Sequence, residues 1–219
     1  MRIVIIGSPG AGKTTLAKSI ATALAIPFVE LDALHWDPGW TAMSVTDPDE
    51  FARRVATSTA GDAWVVDGNY ASVRDLVWPL ATHLIWLDYD RPLIMARVIR
   101  RTLARLVFRT ALWSGNKERL RDVLRPSHPI AWAWRTWHGR SAGLEALLAE
   151  EAHSHLVVYR LRRPTEAAAI TRTLVAQSVP GVQSLAGPPA RRSNPRPTYY
   201  GGGGGGPPPY PGGGGGGAP

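Results

Sequence analysis

The chain has 219 residues, no cysteine and a formal charge of +8 at pH 7. The missing cysteines exclude a disulfide framework, a thiolate zinc site and a cysteine nucleophile. No stretch nears the roughly 18 uninterrupted apolar residues of a membrane span, and the apolar run Ile3–Ile6 is shorter than the roughly 7–15 residues of a signal-peptide core. A soluble, cytoplasmic protein without a membrane partner is therefore expected.

Glycine and proline are unevenly spread. Of 23 glycines and 19 prolines, 14 and 10 lie within 177–219, which holds two six-glycine runs around Pro-Pro-Pro-Tyr-Pro. With so little apolar surface to bury, that segment cannot offset the entropy of being ordered, and it reads as a disordered tail. Its Pro-Pro-Pro-Tyr has the form of a WW-type ligand, although an unselected spacer is the expectation. Residues 1–176 carry all nine tryptophans and enough apolar side chains for one core.

In chain order, Arg2–Ile6 is a short β-branched run, the composition of a buried parallel strand. Gly7-Ser8-Pro9-Gly10-Ala11-Gly12-Lys13-Thr14 follows it, and Lys13–Ala25 reads as a helix. Phe28–Leu31 is a second strand and Pro48–Thr59 a helix. Trp64–Asp67 and Leu84–Leu87 are the third and fourth strands, with a helix over Ser72–Leu80 between them. Pro92–Phe108 and Ile130–Glu151 read as helices, Leu156–Leu161 as the fifth strand and Pro164–Ala176 as the last helix. Pro48, Pro92 and Pro164 each sit where a proline opens a helix. This alternation predicts an α/β fold with a parallel sheet. The segment 97–140 stands apart, with eleven Lys/Arg, two acids and four tryptophans. It reads as a helical lid or arm, about 105–140, inserted into a single domain spanning 1–176.

Residues 7–14 fit G-x-x-x-x-G-K-S/T at every fixed position and lie between a strand and a helix, the context that gives the motif its meaning. Glycines let backbone N–H groups converge on phosphate oxygens, and the helix N-terminus adds its positive end. Gly7, Ser8, Pro9, Gly10, Ala11, Gly12, Lys13, Thr14 and Thr15 are the expected ATP-binding residues. Lys13 reaches the β- and γ-phosphates, and the Thr14 hydroxyl ligates Mg²⁺. No Asn-Lys-x-Asp base-reading motif of a GTPase is present, and no strand ends in the Asp-Glu pair of many motor ATPases.

Ligands of open α/β sheets bind beyond the carboxyl ends of the strands. Asp32 and Asp67 both sit at such ends. Asp67 is the expected metal-side carboxylate and Asp32 the catalytic carboxylate facing the acceptor. Either could instead be a turn or N-cap aspartate. His35, Trp36, Tyr70 and Arg74 are acceptor candidates, although such a histidine is more often a helix or turn residue than a catalyst and aromatics near strand ends more often serve packing. On the Pro92–Phe108 helix, Met95, Ile99, Leu103 and Leu106 share one face, while Arg97, Arg100, Arg101 and Arg105 cluster on the other. Above a phosphate loop, Arg97, Arg100 and Arg101 would neutralise charge on a transferring phosphoryl group. Arg135 could reach the acceptor from the far side of the arm.

Together these segments resemble one family over roughly residues 1–175. They are the loop 7–14, Leu31-Asp32-x-Leu34-x-Trp36-x-Pro38-Gly39-Trp40, Trp64-Val65-Val66-Asp67-Gly68-Asn69-Tyr70 and Arg97-x-x-Arg100-Arg101. The family is the adenylate-kinase-related P-loop NTPases of the FlaR-type "DNA topology modulation protein" group. The resemblance implies a three-layer, nucleoside-monophosphate-kinase-like fold with five parallel strands in the order 2-3-1-4-5. It also implies a mobile lid, ATP with Mg²⁺, and phosphotransfer. Nucleotide kinases of this superfamily carry Asp-Gly-Phe-Pro-Arg where this chain has Asp67-Gly68-Asn69-Tyr70, and their arginine grips the acceptor's phosphate. Here Arg74 comes later, which points away from AMP as acceptor.

Two functions follow. The first is a kinase acting on a small acceptor (a nucleotide, nucleoside or similar metabolite). The second is a nucleic-acid-associated regulatory ATPase or polynucleotide kinase, for which a basic, tryptophan-bearing arm is suited. The charge distribution favours the first: 97–140 carries +9 and the tail +3, leaving −4 on the rest.

Overall fold

The structure, a computed structural model, describes residues 1–178 apart from 119, 124–127 and 136, and not the side chains of 121, 137, 138 and 140. The expected tail lies outside the described residues, except that Gln177 and Ser178 complete the last helix.

Five strands, β1 (Arg2–Gly7), β2 (Phe28–Glu30), β3 (Trp64–Asp67), β4 (His83–Leu87) and β5 (Val157–Leu161), pair in parallel. Their order, β2-β3-β1-β4-β5, is the expected 2-3-1-4-5. Successive side chains of a strand point to opposite faces, so each central strand feeds two cores. Ile3, Ile5, Val65, Ile85 and Leu87 pack on one face with α1 (Lys13–Leu24), α3 (Arg91–Phe108), α4 (Pro129–Arg135) and α6 (Thr165–Ser178). Val4, Ile6, Val66, Leu84 and Trp86 pack on the other with α2 (Pro48–Ser58) and α5 (Trp137–Leu148). Burial on both faces is why these strands read as continuous apolar runs.

Local chemistry sets several boundaries. The Asp47 side chain accepts the Glu50 N–H at 3.0 Å and caps α2, with Pro48 in the first turn. Arg91, rather than Pro92, opens α3, and Pro164 lies just before α6. Leu31, expected to end β2, begins a short helix, Leu31–His35. The helix expected over Ser72–Leu80 is three short turns, Ala71–Val73, Arg74–Val77 and Trp78–Leu80. Pro79 has no N–H to continue a helix through that end. Of the long helix expected over Ile130–Glu151, α4 and α5 are helical on either side of residue 136, which is not described, and Glu151–His153 forms a separate turn. None of the residues described between 97 and 140 belongs to the five-stranded sheet.

The register places the site. Glu30 of β2 and Ile5 of β1 both lie beside Asp67 of β3. The carboxyl ends of three adjacent strands therefore meet where the phosphate loop leaves β1.

Candidate nucleotide and acceptor site

The loop Gly7–Lys13 turns back over the end of β1. Gly10 and Gly12 have φ of 81° and 96°, a region that glycine enters without a Cβ clash. A Cβ on Gly10 would lie 2.5 Å from Val98 Cγ2 and 3.2 Å from the Ile94 carbonyl oxygen. The loop thus rests directly on the backbone of α3. Gly12 caps α1 without a side-chain hydrogen bond, which leaves the first turn of that helix the character of an anion site. Lys13 Nζ donates to the Ser8 carbonyl at 3.4 Å, arching across the loop. Thr15 is exposed.

Thr14 Oγ1 donates to Asp67 Oδ2 at 2.5 Å. Asp67 is 5% exposed, and its other oxygen, Oδ1, is buried with no hydrogen-bond partner. Burial pushes this carboxyl above the ordinary aspartate range, against the lowering effects of Lys13 and the Thr14 hydrogen bond. A hydroxyl and an unsatisfied carboxylate oxygen beside a phosphate loop suit Mg²⁺, which keeps several waters and takes few protein ligands when phosphates supply the rest. Among the described residues no group of three or more His, Cys, Asp or Glu is arranged to hold a metal, so a cation here would need phosphate and water oxygens.

The second carboxylate, Asp32, lies in the first turn of Leu31–His35. Tyr70 donates its hydroxyl to Asp32 Oδ1 at 2.6 Å. Burial, with Asp32 adding to it, pushes deprotonation of that phenol well above its usual range, so Tyr70 stays a donor. His35 is 4% exposed and its Nδ1 accepts the Ser44 N–H at 3.3 Å. Burial lowers its pKa, opposed by Asp32, and the ring packs among aromatic neighbours. It stands 4.6 Å from the Tyr70 ring and 4.5 Å from that of Trp36. Trp36 is half-buried in the small hairpin of Trp36–Asp37 with Thr41–Ala42. Arg54 of α2 clamps this hairpin through Asp37, at 2.8 and 3.1 Å, while also bound to Glu50. Arg74 lies over the Trp78 ring, 5.1 Å from its centroid, with Nε 3.4 Å from Asn69 Oδ1. Arg135 is exposed in the last turn of α4.

The arginines of α3 divide. Arg97 donates to the Ala11 carbonyl of the loop at 3.1 Å. Arg100 is exposed. Arg101 is half-buried, and its Nε lacks a hydrogen-bond partner. Burial and then Arg105 lower its pKa, while Glu118 and Asp32 raise it. Arg105 pairs with Glu118 at 2.9 Å.

Sequence reasoning did not single out Glu30, Trp113 or Asn116. Glu30 accepts the Trp113 indole N–H at 2.9 Å. Burial raises its pKa, opposed first by that hydrogen bond. Glu30 was visible only as a strand-end acid two residues before Asp32. Trp113 and Asn116 carry no local signal, because their partners lie about eighty residues away.

A family model described as "ATPase family associated with various cellular activities (AAA)" matches residues 3–60, which span β1, the loop, α1, β2, the hairpin and α2. Among solved structures the chain is similar to a gluconokinase from Sinorhizobium meliloti 1021, at 18% identity over 81% of this chain and 97% of that one, with a TM-score of 0.43. It is also similar to a shikimate kinase from Acinetobacter baumannii in complex with shikimate, at 16% identity over 80% of this chain and 91% of that one, with a TM-score of 0.48. No curated protein matches it. The match over residues 3–60, the loop and the strand order together mark a P-loop domain, with α3 carrying Arg97 onto its loop.

Proposed function

We propose that this protein is a P-loop kinase that transfers the γ-phosphoryl group of ATP to a small acceptor (a nucleotide, nucleoside or similar metabolite). The observation that carries this reading is the span of α3. Within two helical turns it sets Arg97 on the phosphate loop and leaves Arg101 half-buried with an unpartnered Nε, so one rigid element can offer guanidinium groups both to the donor and to the transferring group.

In this reading the loop N–H groups and Lys13 hold the ATP phosphates, and Thr14 with Asp67 would hold Mg²⁺. The metal would supply neutralisation of phosphate charge. Asp32, fixed by Tyr70, accepts a hydrogen bond from the attacking group of the acceptor and draws its proton away. Arg97 and Arg101 stabilise the charge that spreads over the transferring group, while Arg100 stays on the exposed side of α3. Trp36 and Tyr70 border the acceptor, and His35 backs them. Arg74 is stacked on Trp78 and bonded to Asn69, and its late position in the sequence supports an acceptor other than AMP. The FlaR-type resemblance of the 31–40 and 64–70 segments fits this reading.

The test is a radiolabelled Mg·ATP assay against a panel of nucleotides, nucleosides, sugar acids and polyols. Transfer to at least one member is expected, with a loss on the order of 10²–10³-fold in Lys13→Ala. Turnover that survives Lys13→Ala overturns the assignment.

A further inference from the structure

The arm is fastened to the acceptor side by a small turn. Leu112 N–H donates to the Asn116 carbonyl at 2.7 Å, and Ala111 bridges Lys117. From this turn, Trp113 reaches Glu30 at 2.9 Å and the Ser114 hydroxyl reaches the Trp36 carbonyl at 2.7 Å. Asn116, 7% exposed, uses both ends of its amide. Nδ2 donates to the Asp37 carbonyl and Oδ1 accepts the Trp40 N–H, each at 3.0 Å. The Trp40 indole N–H points to the Lys117 carbonyl at 3.4 Å.

Trp40 has φ of 62°, a left-handed conformation that a bulky residue holds only where its surroundings enforce it. The Asn116 and Lys117 bonds are that enforcement. From Trp40, packed rings run without a break to the acceptor carboxylate. Trp40 meets Trp36 edge-on at 5.4 Å, Trp36 meets His35 at 4.5 Å, and His35 meets Tyr70 at 4.6 Å. Tyr70 then holds Asp32 at 2.6 Å.

We infer that Asn116 is a positioning residue for the acceptor site: by pinning Trp40 it sets the ring chain, and through Tyr70 the placement of Asp32, so acceptor binding requires the arm turn to be docked. This deepens the kinase reading above, which supplies the role of Asp32. It makes the arm turn part of the acceptor site. A merely structural Asn116 would lower stability without separating acceptor from ATP.

Hydrogen exchange and steady-state kinetics on the full chain test it, comparing wild type with Asn116→Ala and Asn116→Asp. Asparagine-to-alanine is expected to speed exchange about tenfold across residues 30–42 and 68–72, with the loop 7–14 unchanged. It should raise KM for the acceptor roughly tenfold, since small misplacements at a reacting centre are amplified, with KM for ATP unchanged. Asn116→Asp keeps the acceptor oxygen for Trp40 and loses the donor to Asp37, so it should fall between. If Asn116→Ala does not fold, Ser114→Ala removes one exposed bond of the same turn and should move both readouts the same way by less. Unchanged exchange at 30–42 and 68–72 overturns the proposal, as does loosened exchange with an unaltered acceptor KM. If wild type transfers phosphate to no acceptor, the kinase reading fails separately, and exchange at 68–72 still decides whether Asn116 governs the Tyr70–Asp32 contact.

Discussion

Asp67 shows how one buried carboxylate links stability to function. Its folded-state pKa is raised by burial above the ordinary value of 3.8. The folded chain therefore binds a proton that the unfolded chain has already lost. That contribution is fully present below the ordinary value and is lost as pH rises through the raised one. At neutral pH the ionised Asp67 is a cost, and a cation on Oδ1 relieves it. Thermal melts of wild type and Asp67→Asn between pH 4 and 8 should show this sign. Without nucleotide the variant gains on wild type as pH rises, because the amide has no charge to bury. With Mg·ATP the order reverses, since wild type gains the stabilisation of a bound ligand and the variant gains little. A wild-type advantage at neutral pH without ligand would count against it.

At the scale of elements, the contact between loop and α3 is the tightest in the site. Gly10→Ala would place a methyl group 2.5 Å from Val98 Cγ2, on a backbone with φ of 81°. Overpacking of this kind costs roughly 1–3 kcal/mol, and here it also pushes Arg97 off the loop. Urea unfolding should show a loss of that order, accompanied by weaker ATP binding. Val98→Ala in the same chain should restore part of the stability, because it removes the opposing methyl group. No recovery would mean that the glycine matters for its φ alone.

The same scale shows what sequence could reveal. The strands and the loop were legible because parallel strands buried on both faces leave apolar runs, and because phosphate binding demands glycines at fixed spacing. Strand order was legible only through resemblance. Leu31 as a helix start was not legible, since a short apolar run reads the same in either state. Asp32 and Asp67 could be named from their strand-end positions, but not Tyr70 as the donor to Asp32. The arginine stripe looked uniform, yet Arg97 meets the loop, Arg105 meets Glu118 and Arg100 faces outward. Such distinctions arise from contacts between distant segments, which no local pattern encodes.

For the whole molecule, charge placement bears on the alternative of a nucleic-acid partner. The segment 97–140 carries +9, but Arg97 and Arg105 are committed to the loop and to Glu118. Cations turned inward onto a loop or an acid are poorly placed to follow a strand's phosphates, and only cations that neutralise those phosphates release counterions. Single-stranded DNA and RNA should accordingly bind weakly at 0.15 M salt, with a shallow salt slope, as read by fluorescence anisotropy. A steep slope with nucleic-acid-stimulated ATP turnover would restore the alternative. No described helix is long and apolar enough to cross a membrane.

The paired indoles of Trp36 and Trp40 carry a last consequence. Their rings lie 5.4 Å apart at an interplanar angle of 83°, and Trp40 is held by Asn116 and Lys117 of the arm turn. Two chromophores this close and fixed couple their electronic transitions, and the coupling vanishes when either ring turns freely. The docked arm thus has an optical signature of its own in near-ultraviolet circular dichroism, readable in the unlabelled protein.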